Sequence, residues 1–152
     1  MVADLSDAQV RDILMTAKSV AVIGVSAKPD RASHQVTAYL LEQTHFTVYL
    51  INPAHTENIL GQPVYPNLAA LPEIPDLSLI HIVDVFRKGE DMPGVFEKEF
   101  PAIAGDCSGK TWWMQLGIRN NDVAELASIA GMQVVQDRCI KVDYANLVPP
   151  GL

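Results

Sequence analysis

The stretch Val20-Ala21-Val22-Ile23-Gly24, with the loop Val25-Ser26-Ala27-Lys28-Pro29-Asp30-Arg31-Ala32-Ser33 behind it, decides the fold. A short, unbroken run of β-branched and small apolar residues has no polar face to offer solvent. It reads as a strand buried on both sides, in a parallel sheet with helices over each face. Glycine ends the strand, and the turn formers after it make a loop. Ser33 is placed to cap a helix to about Gln43, with Val36, Leu40 and Leu41 inward. Residues 46–51 are a second apolar strand that stops at Asn52-Pro53. Upstream, Ser6 and Gln9 have capping-box spacing, Leu5 and Val10 suit a hydrophobic staple, and Val10, Ile13, Leu14 and Ala17 share one helical face.

The same alternation continues downstream. Residues 61–66 read as a short extended piece and 67–71 as a short helix. Residues 77–85 form a third apolar strand, and 91–100 a helix with Pro93 in its first turn. A polar loop at 105–109 leads to a strand at 111–116. A helix carrying Val123, Leu126, Ala127 and Ala130 ends at Gly131, and 132–136 is the last strand. The order β-α-β-α-β-α-β-α-β predicts an α/β, Rossmann-like, doubly wound, mainly parallel sheet of five or six strands with helices on both faces. One domain is expected over 1–152, with 148–152 as a loose tail. Right-handed crossovers bring the βα loops to one sheet edge, where open α/β sheets bind ligands.

Composition narrows the function. Hydrophobic residues make up 49% of the 152-residue chain and charged residues 19%, a globular balance. A net charge of −7 argues against a nucleic-acid partner, which calls for a basic footprint. No apolar run approaches the roughly 20 residues that span a bilayer, so no membrane association is expected. The N-terminus lacks the basic-then-apolar order of a signal peptide, and Cys107 and Cys139 make no disulfide framework. A reduced, cytoplasmic protein is the expectation.

Seven of the eleven Lys and Arg residues follow strands: Lys28 and Arg31, Arg87 and Lys88, Arg119, then Arg138 and Lys141. An acidic chain that gathers cations at its ligand edge, beside helix N-termini, is suited to an anion. The dinucleotide fingerprint is incomplete, because Gly24-Val25-Ser26-Ala27-Lys28-Pro29 keeps only its first glycine. The second strand ends in Asn52-Pro53, without an acid for a ribose hydroxyl, and no P-loop occurs. NAD is disfavoured. NADP fits better, since Lys28 or Arg31 suits its extra phosphate. Coenzyme A, which carries a pyrophosphate and a separate ribose phosphate, matches the cations well.

Five ordered blocks carry a resemblance. They are 21–33, quoted above in full from Ala21, Ile51-Asn52-Pro53, Val83-Asp84-Val85-Phe86-Arg87, Trp113-Met114-Gln115-Leu116-Gly117-Ile118-Arg119-Asn120, and Asp137-Arg138-Cys139-Ile140-Lys141. Over about 5–144 the chain resembles the stand-alone CoA-binding domain proteins, which are similar to the N-terminal domain of the succinyl-CoA synthetase alpha subunit. The resemblance implies a Rossmann-like fold and coenzyme A as ligand. It implies that the first loop wraps the phosphates through Gly24, Val25, Ser26, Lys28, Arg31 and Ser33. It places Asn52 and Pro53 beside the nucleotide, Val83, Asp84, Val85 and Phe86 along the cleft, and Gln115 near the pantetheine arm. Ala32 stands where proline is commoner in the family, and 100–110 is longer than usual.

No Ser-His-Asp, Cys-His or paired-acid arrangement stands out, so binding rather than catalysis is expected, with no catalytic residue. The synthetases use a histidine in a second domain, for which 152 residues leave no room. Asp84 reads as a structural carboxylate accepting backbone N–H bonds, with Arg87 its partner or a phosphate ligand. His34, His45, His55 and His81 have no metal spacing. Trp112 and Trp113 alternate faces, so one is expected in the core and one half-exposed. Cys139 adjoins Arg138, a setting that favours thiolate, though a quiet half-buried thiol is the simpler reading. Two alternatives stay open: an NADP-binding oxidoreductase or nucleotide sensor, and a partner-binding domain derived from an acyl-CoA synthetase.

Overall fold

The computed structural model describes residues 2–71, 80–105 and 107–151. Its elements are α1 (Asp7–Thr16), β1 (Ser19–Ile23), α2 (Ala32–Gln43), β2 (Thr47–Ile51), β3 (Val64–Tyr65), β4 (Ile82–Val85), α3 (Met92–Glu99), β5 (Thr111–Met114), α4 (Asn121–Ile129), β6 (Gln133–Val135) and α5 (Ile140–Leu147). The six strands form one sheet in the order β3-β2-β1-β4-β5-β6, and every pairing is parallel. Strand order reverses direction between β1 and β4, and a crevice at their C-terminal ends follows from that topology.

Each face of the sheet carries its own core. Ala21, Ile23, Val83, Val85, Trp112 and Met114 pack under α3 and α4. Val20, Val22, Leu50, Ile82, Trp113 and Val135 pack under α1, α2 and α5. Burial on both faces is why β1, β4 and β5 read as unbroken apolar runs rather than alternating ones. It also corrects the tryptophan expectation: both Trp112 and Trp113 are fully buried. Trp113 Nε1 donates to the Arg138 carbonyl at 2.8 Å, while Trp112 stands edge-on to Phe96.

The capping box at Ser6 forms as expected, through both of its bonds with Gln9. Several elements are shorter than expected, among them β3 and β5, and three further features differ. The third strand is β4 alone in the described residues, and 77–79 lie outside them. Ser33 does not cap α2, because Arg31 holds the N-cap position and makes no side-chain cap bond. The chain after β6 forms α5, which buries Ile140, Asp143 and Tyr144, and Val148 of the expected loose tail is buried too. Tyr144 fixes this helix. Its hydroxyl meets His45 Nδ1 at 2.7 Å, and His45 Nε2 meets the Ala17 carbonyl at 2.8 Å. A carbonyl only accepts, so Nε2 carries the proton and Nδ1 accepts from the tyrosine.

Candidate functional site

A cleft of about 580 Å³ lies over the C-terminal ends of β1 and β4. Its lining comes from three loops: Gly24, Ser26, Lys28, Arg31, Ala32 and Ser33 after β1; Phe86, Arg87, Lys88 and Gly89 after β4; and Gly117 and Ile118 after β5. Among the described residues no acid lines it, although the chain is acidic overall.

The first loop must begin with glycine for two reasons. Gly24 has φ +92°, and a Cβ there would stand 2.5 Å from the Phe86 carbonyl oxygen. That closeness comes from the ladder continuing one step beyond the strands, with Gly24 N–H donating to Ile51 O and Phe86 N–H to Ile23 O. The loop then closes on itself. Ser26 N–H donates to Ser33 Oγ at 2.9 Å, Lys28 N–H to Ser26 Oγ at 3.1 Å, and Arg31 N–H to Lys28 O. His34 Nδ1 lies 2.9 Å from the Ser26 carbonyl and must donate to it. With Ser33 Oγ committed to the loop, the N–H groups of Ala32 and Ser33 donate to no protein acceptor among the described residues. They are the first N–H groups of α2, a twelve-residue helix, and such groups favour an anion.

The opposite wall is assembled from distant parts of the chain. Gly89 approaches Arg119 so closely that a Cβ would lie 2.6 Å from the Arg119 carbonyl oxygen, and Asn120 Nδ2 donates to Gly89 O at 2.9 Å. Asn120 also caps α4 through its side chain. Ile118 N–H donates to Gln115 O at 2.8 Å, closing a turn in which Gly117 has φ +81°. Gly117 N–H donates to Asp137 Oδ1 at 2.6 Å, and Asp137 N–H donates back to Ile118 O.

Of the seven cations expected at this edge, Lys28, Arg31, Arg87 and Lys88 line the cleft. Among the described residues Lys28, Arg31 and Lys88 have no acidic partner within 4 Å, and Arg87 has only Asp91, at 3.6 Å with both partners exposed. Arg119 and Arg138 are committed elsewhere. Arg119 makes a two-pronged contact with Asp4, and Arg138 bridges Asp7 and Asp143. Lys141 sits over the Tyr39 ring.

Several expected site residues are not in the lining. Val25, Val83 and Val85 are wholly buried in the two cores, the last two because strand side chains point across the sheet and not along it toward its edge. Pro53 is exposed outside the cleft. Asn52 braces the first loop from behind, donating through Nδ2 to the Val25 carbonyl at 2.7 Å and accepting from Ala54 N–H. Asp84 is fully buried and Gln115 nearly so, and Gln115 Nε2 donates to Asp84 Oδ1. Burial pushes the Asp84 carboxyl up to about 8, against the opposing pull of that hydrogen bond. Among the described residues its carboxyl meets neither the expected backbone donors nor the expected partner Arg87, and Oδ2 has no hydrogen-bond partner. Ala32, Gly89, Gly117 and Ile118 join the site without having been expected there, while Lys88, expected only as one of the edge cations, is part of the lining. A basic residue directly after a strand was the available signal for Lys88.

Known proteins agree with this architecture. The chain is 32% identical over 140 residues to the uncharacterized protein YneT of Bacillus subtilis, covering 92% of this chain and 95% of that one. A hypothetical protein from Pyrococcus horikoshii superposes with a TM-score of 0.79 at 30% identity, covering 98% of this chain and 99% of the other. A Thermus thermophilus protein superposes at 0.75 and 31% identity, covering 94% and 99%. The family model described as a CoA binding domain matches residues 18–145, and the chain therefore belongs to the CoA-binding domain family.

Proposed function

We propose that the chain binds coenzyme A, free or acylated, in the cleft over β1 and β4, and that it does so without catalytic groups of its own. The observation that carries this reading is the grouping of four cations around a cleft where, among the described residues, two helix N–H groups have no acceptor and no acid is present. Family membership names the ligand class that such a cradle would take. In this reading the Ala32 and Ser33 N–H groups, with Lys28 and Arg31, hold one phosphate cluster. Arg87 and Lys88 on the facing loop meet another, and Phe86 and Ile118 supply apolar contact for the rest of the molecule. A ligand with separated phosphates suits cations on two walls better than one with a single phosphate does.

The remaining features fit a reduced, cytoplasmic setting. No disulfide joins Cys107 and Cys139, and no helix among the described residues is long and apolar enough to cross a membrane. Isothermal titration of the ligand-stripped protein with coenzyme A, dephospho-coenzyme A and NADP tests the proposal. The expected result is saturable one-to-one binding of coenzyme A, weaker binding without the ribose phosphate, and none of NADP. A folded protein that gives no heat with coenzyme A would overturn it, and binding of NADP alone would install the nucleotide-sensor reading instead.

A further inference from the structure

One polar pair in the sheet has no evident part in folding. Leu50, Val22, Asp84, Trp113 and Val135 form a single row across β2, β1, β4, β5 and β6. Four of them are core residues of the face covered by α1, α2 and α5, and the fifth is a carboxyl with no exposure at all. An apolar residue at 84 would complete that row, so the acid stands there at a cost to stability. Gln115 is the only hydrogen-bond partner of the Asp84 carboxyl among the described residues, and the Oδ2 atom has none. Gln115 is also the first residue of the turn whose Gly117 and Ile118 line the cleft.

We propose that Asp84 and Gln115 are a positioning pair, in which the buried carboxyl holds the Gln115 side chain and Gln115 holds the 115–118 turn that presents Gly117 and Ile118 to the ligand. Its bearing on coenzyme A rests on the function proposed above. Phe86, just beyond the end of β4 and two residues after Asp84, lines the same cleft, so a charge on Asp84 would lie below an anionic ligand. Ligand and proton therefore favour one another: a bound anion raises the cost of ionising Asp84, and ionised Asp84 weakens the anion by the same factor.

The titratable groups around it are otherwise engaged. On α2, His34 is bonded to Ser26 O, and Tyr39 lies under Lys141. On α5, Asp143 pairs with Arg138 and Tyr144 with His45. On α1, Asp7, Arg11 and Asp12 are exposed. Lys28, Arg31, Arg87 and Lys88 lie in the loops above. The sign follows from burial. The folded carboxyl titrates near 8, above its ordinary 3.8, so its contribution to stability is full below 3.8 and is lost as pH rises through about 8.

Two readouts test the pair. In the ligand-free protein, the Gln115 side-chain amide and the Ile118 backbone amide are followed by NMR from pH 6 to pH 10. Both should move with one midpoint near 8, and both should stay in place in Asp84→Asn, which keeps an acceptor for Gln115 but has no proton to lose. Signals that move equally in both proteins, or in neither, would overturn the pair whether or not coenzyme A binds. In the second readout, coenzyme A titrations at pH 7 and pH 9 should show wild-type affinity falling at least about threefold and Asp84→Asn affinity holding level. Gln115→Met should weaken binding at pH 7 by about fivefold, the equivalent of one net hydrogen bond. An equal fall in wild type and Asp84→Asn would remove the coupling. No binding by wild type at either pH would sink the coenzyme A reading alone and leave the NMR result to decide the pair.

Discussion

The cleft wall formed by residues 24–33 is closed on itself by side-chain bonds that span two to eight positions of the chain, with one outside brace, from Asn52, at 27. The facing wall is closed by bonds that span 16, 20, 31 and 115 positions. The first wall is a local design, in which a strand end, a self-bonded loop and a helix N-terminus are consecutive. The second exists only once β4, β5, β6 and the N-terminal segment have met. Cations sit on both walls, and the first adds the N–H groups of Ala32 and Ser33 at the start of α2. A substitution in the first wall should therefore separate binding from stability, while one in the second should move them together.

The largest effect belongs to the one point where the walls touch. Gly24→Ala sets a Cβ against the Phe86 carbonyl, which is backbone and cannot swing away, at a φ that alanine avoids. We expect a loss of about 2–4 kcal/mol in urea denaturation and loss of coenzyme A binding in the folded fraction. A stability loss below about 1 kcal/mol would mean that β1 and β4 part easily, and the walls would then be less rigid than described.

Arg31→Asp sharpens the contrast most. A cation at the N-cap of α2, with no cap bond, opposes the helix dipole, and this is poor design for stability alone. Aspartate there supplies both a cap and a favourable charge, so the variant should be more stable by about 0.5–1 kcal/mol. The same change places a negative charge at the anion cradle, and coenzyme A affinity should fall by about 100-fold. Thermal melting and isothermal titration on one sample decide it. Lower stability, or unchanged affinity, would show that Arg31 is structural.

The difference between the walls also explains what could be read beforehand. Val20–Gly24 declared a doubly buried parallel strand, and Lys28 and Arg31 stood close enough to it to be placed at the cleft. Strand order follows from topology rules once the strands are known, so the sheet was legible. Asp137 gave no such signal. It works because a tertiary contact brings it to Gly117, twenty positions away, and nothing local requires it. Arg119 and Arg138 failed as cleft cations for the same reason, since Asp4 and Asp7 reach them from the far end of the chain. Val83 and Val85 were misplaced by treating a strand's end as cleft surface, when the loop beyond it supplies the lining. α5 was missed because Cys139 gives it no capping signal.

Asp137→Ala tests the second wall directly. Asp137 holds φ +58°, which aspartate tolerates better than alanine, and its carboxylate takes the Gly117 N–H. A stability loss of about 1–2 kcal/mol should come with several-fold weaker coenzyme A binding. Asp137→Asn keeps the acceptor and the tolerance for that backbone and should restore most of both. Binding lost with stability intact would break the contrast, because the far wall would then behave like the near one.

The smallest effect is expected where the tie spans most of the chain. Asp4 and Arg119 are joined at 3.0 and 3.2 Å, but both are substantially exposed, and exposed pairs contribute little. The Arg119 guanidinium holds the Asp4 carboxyl below the usual carboxylate range, so the tie persists above pH 3.8 and is lost as pH falls below it. Asp4→Ala should leave the melting temperature within error at pH 7. It should also release Arg119, whose neighbour Ile118 lines the cleft, to act on the anion through solvent. Coenzyme A affinity should then hold or rise by up to about twofold, with a steeper decline in salt. A fall beyond about fivefold would show instead that this tie sets the position of the 115–118 turn, and the far wall would depend on its most distant bond more than on Asp137.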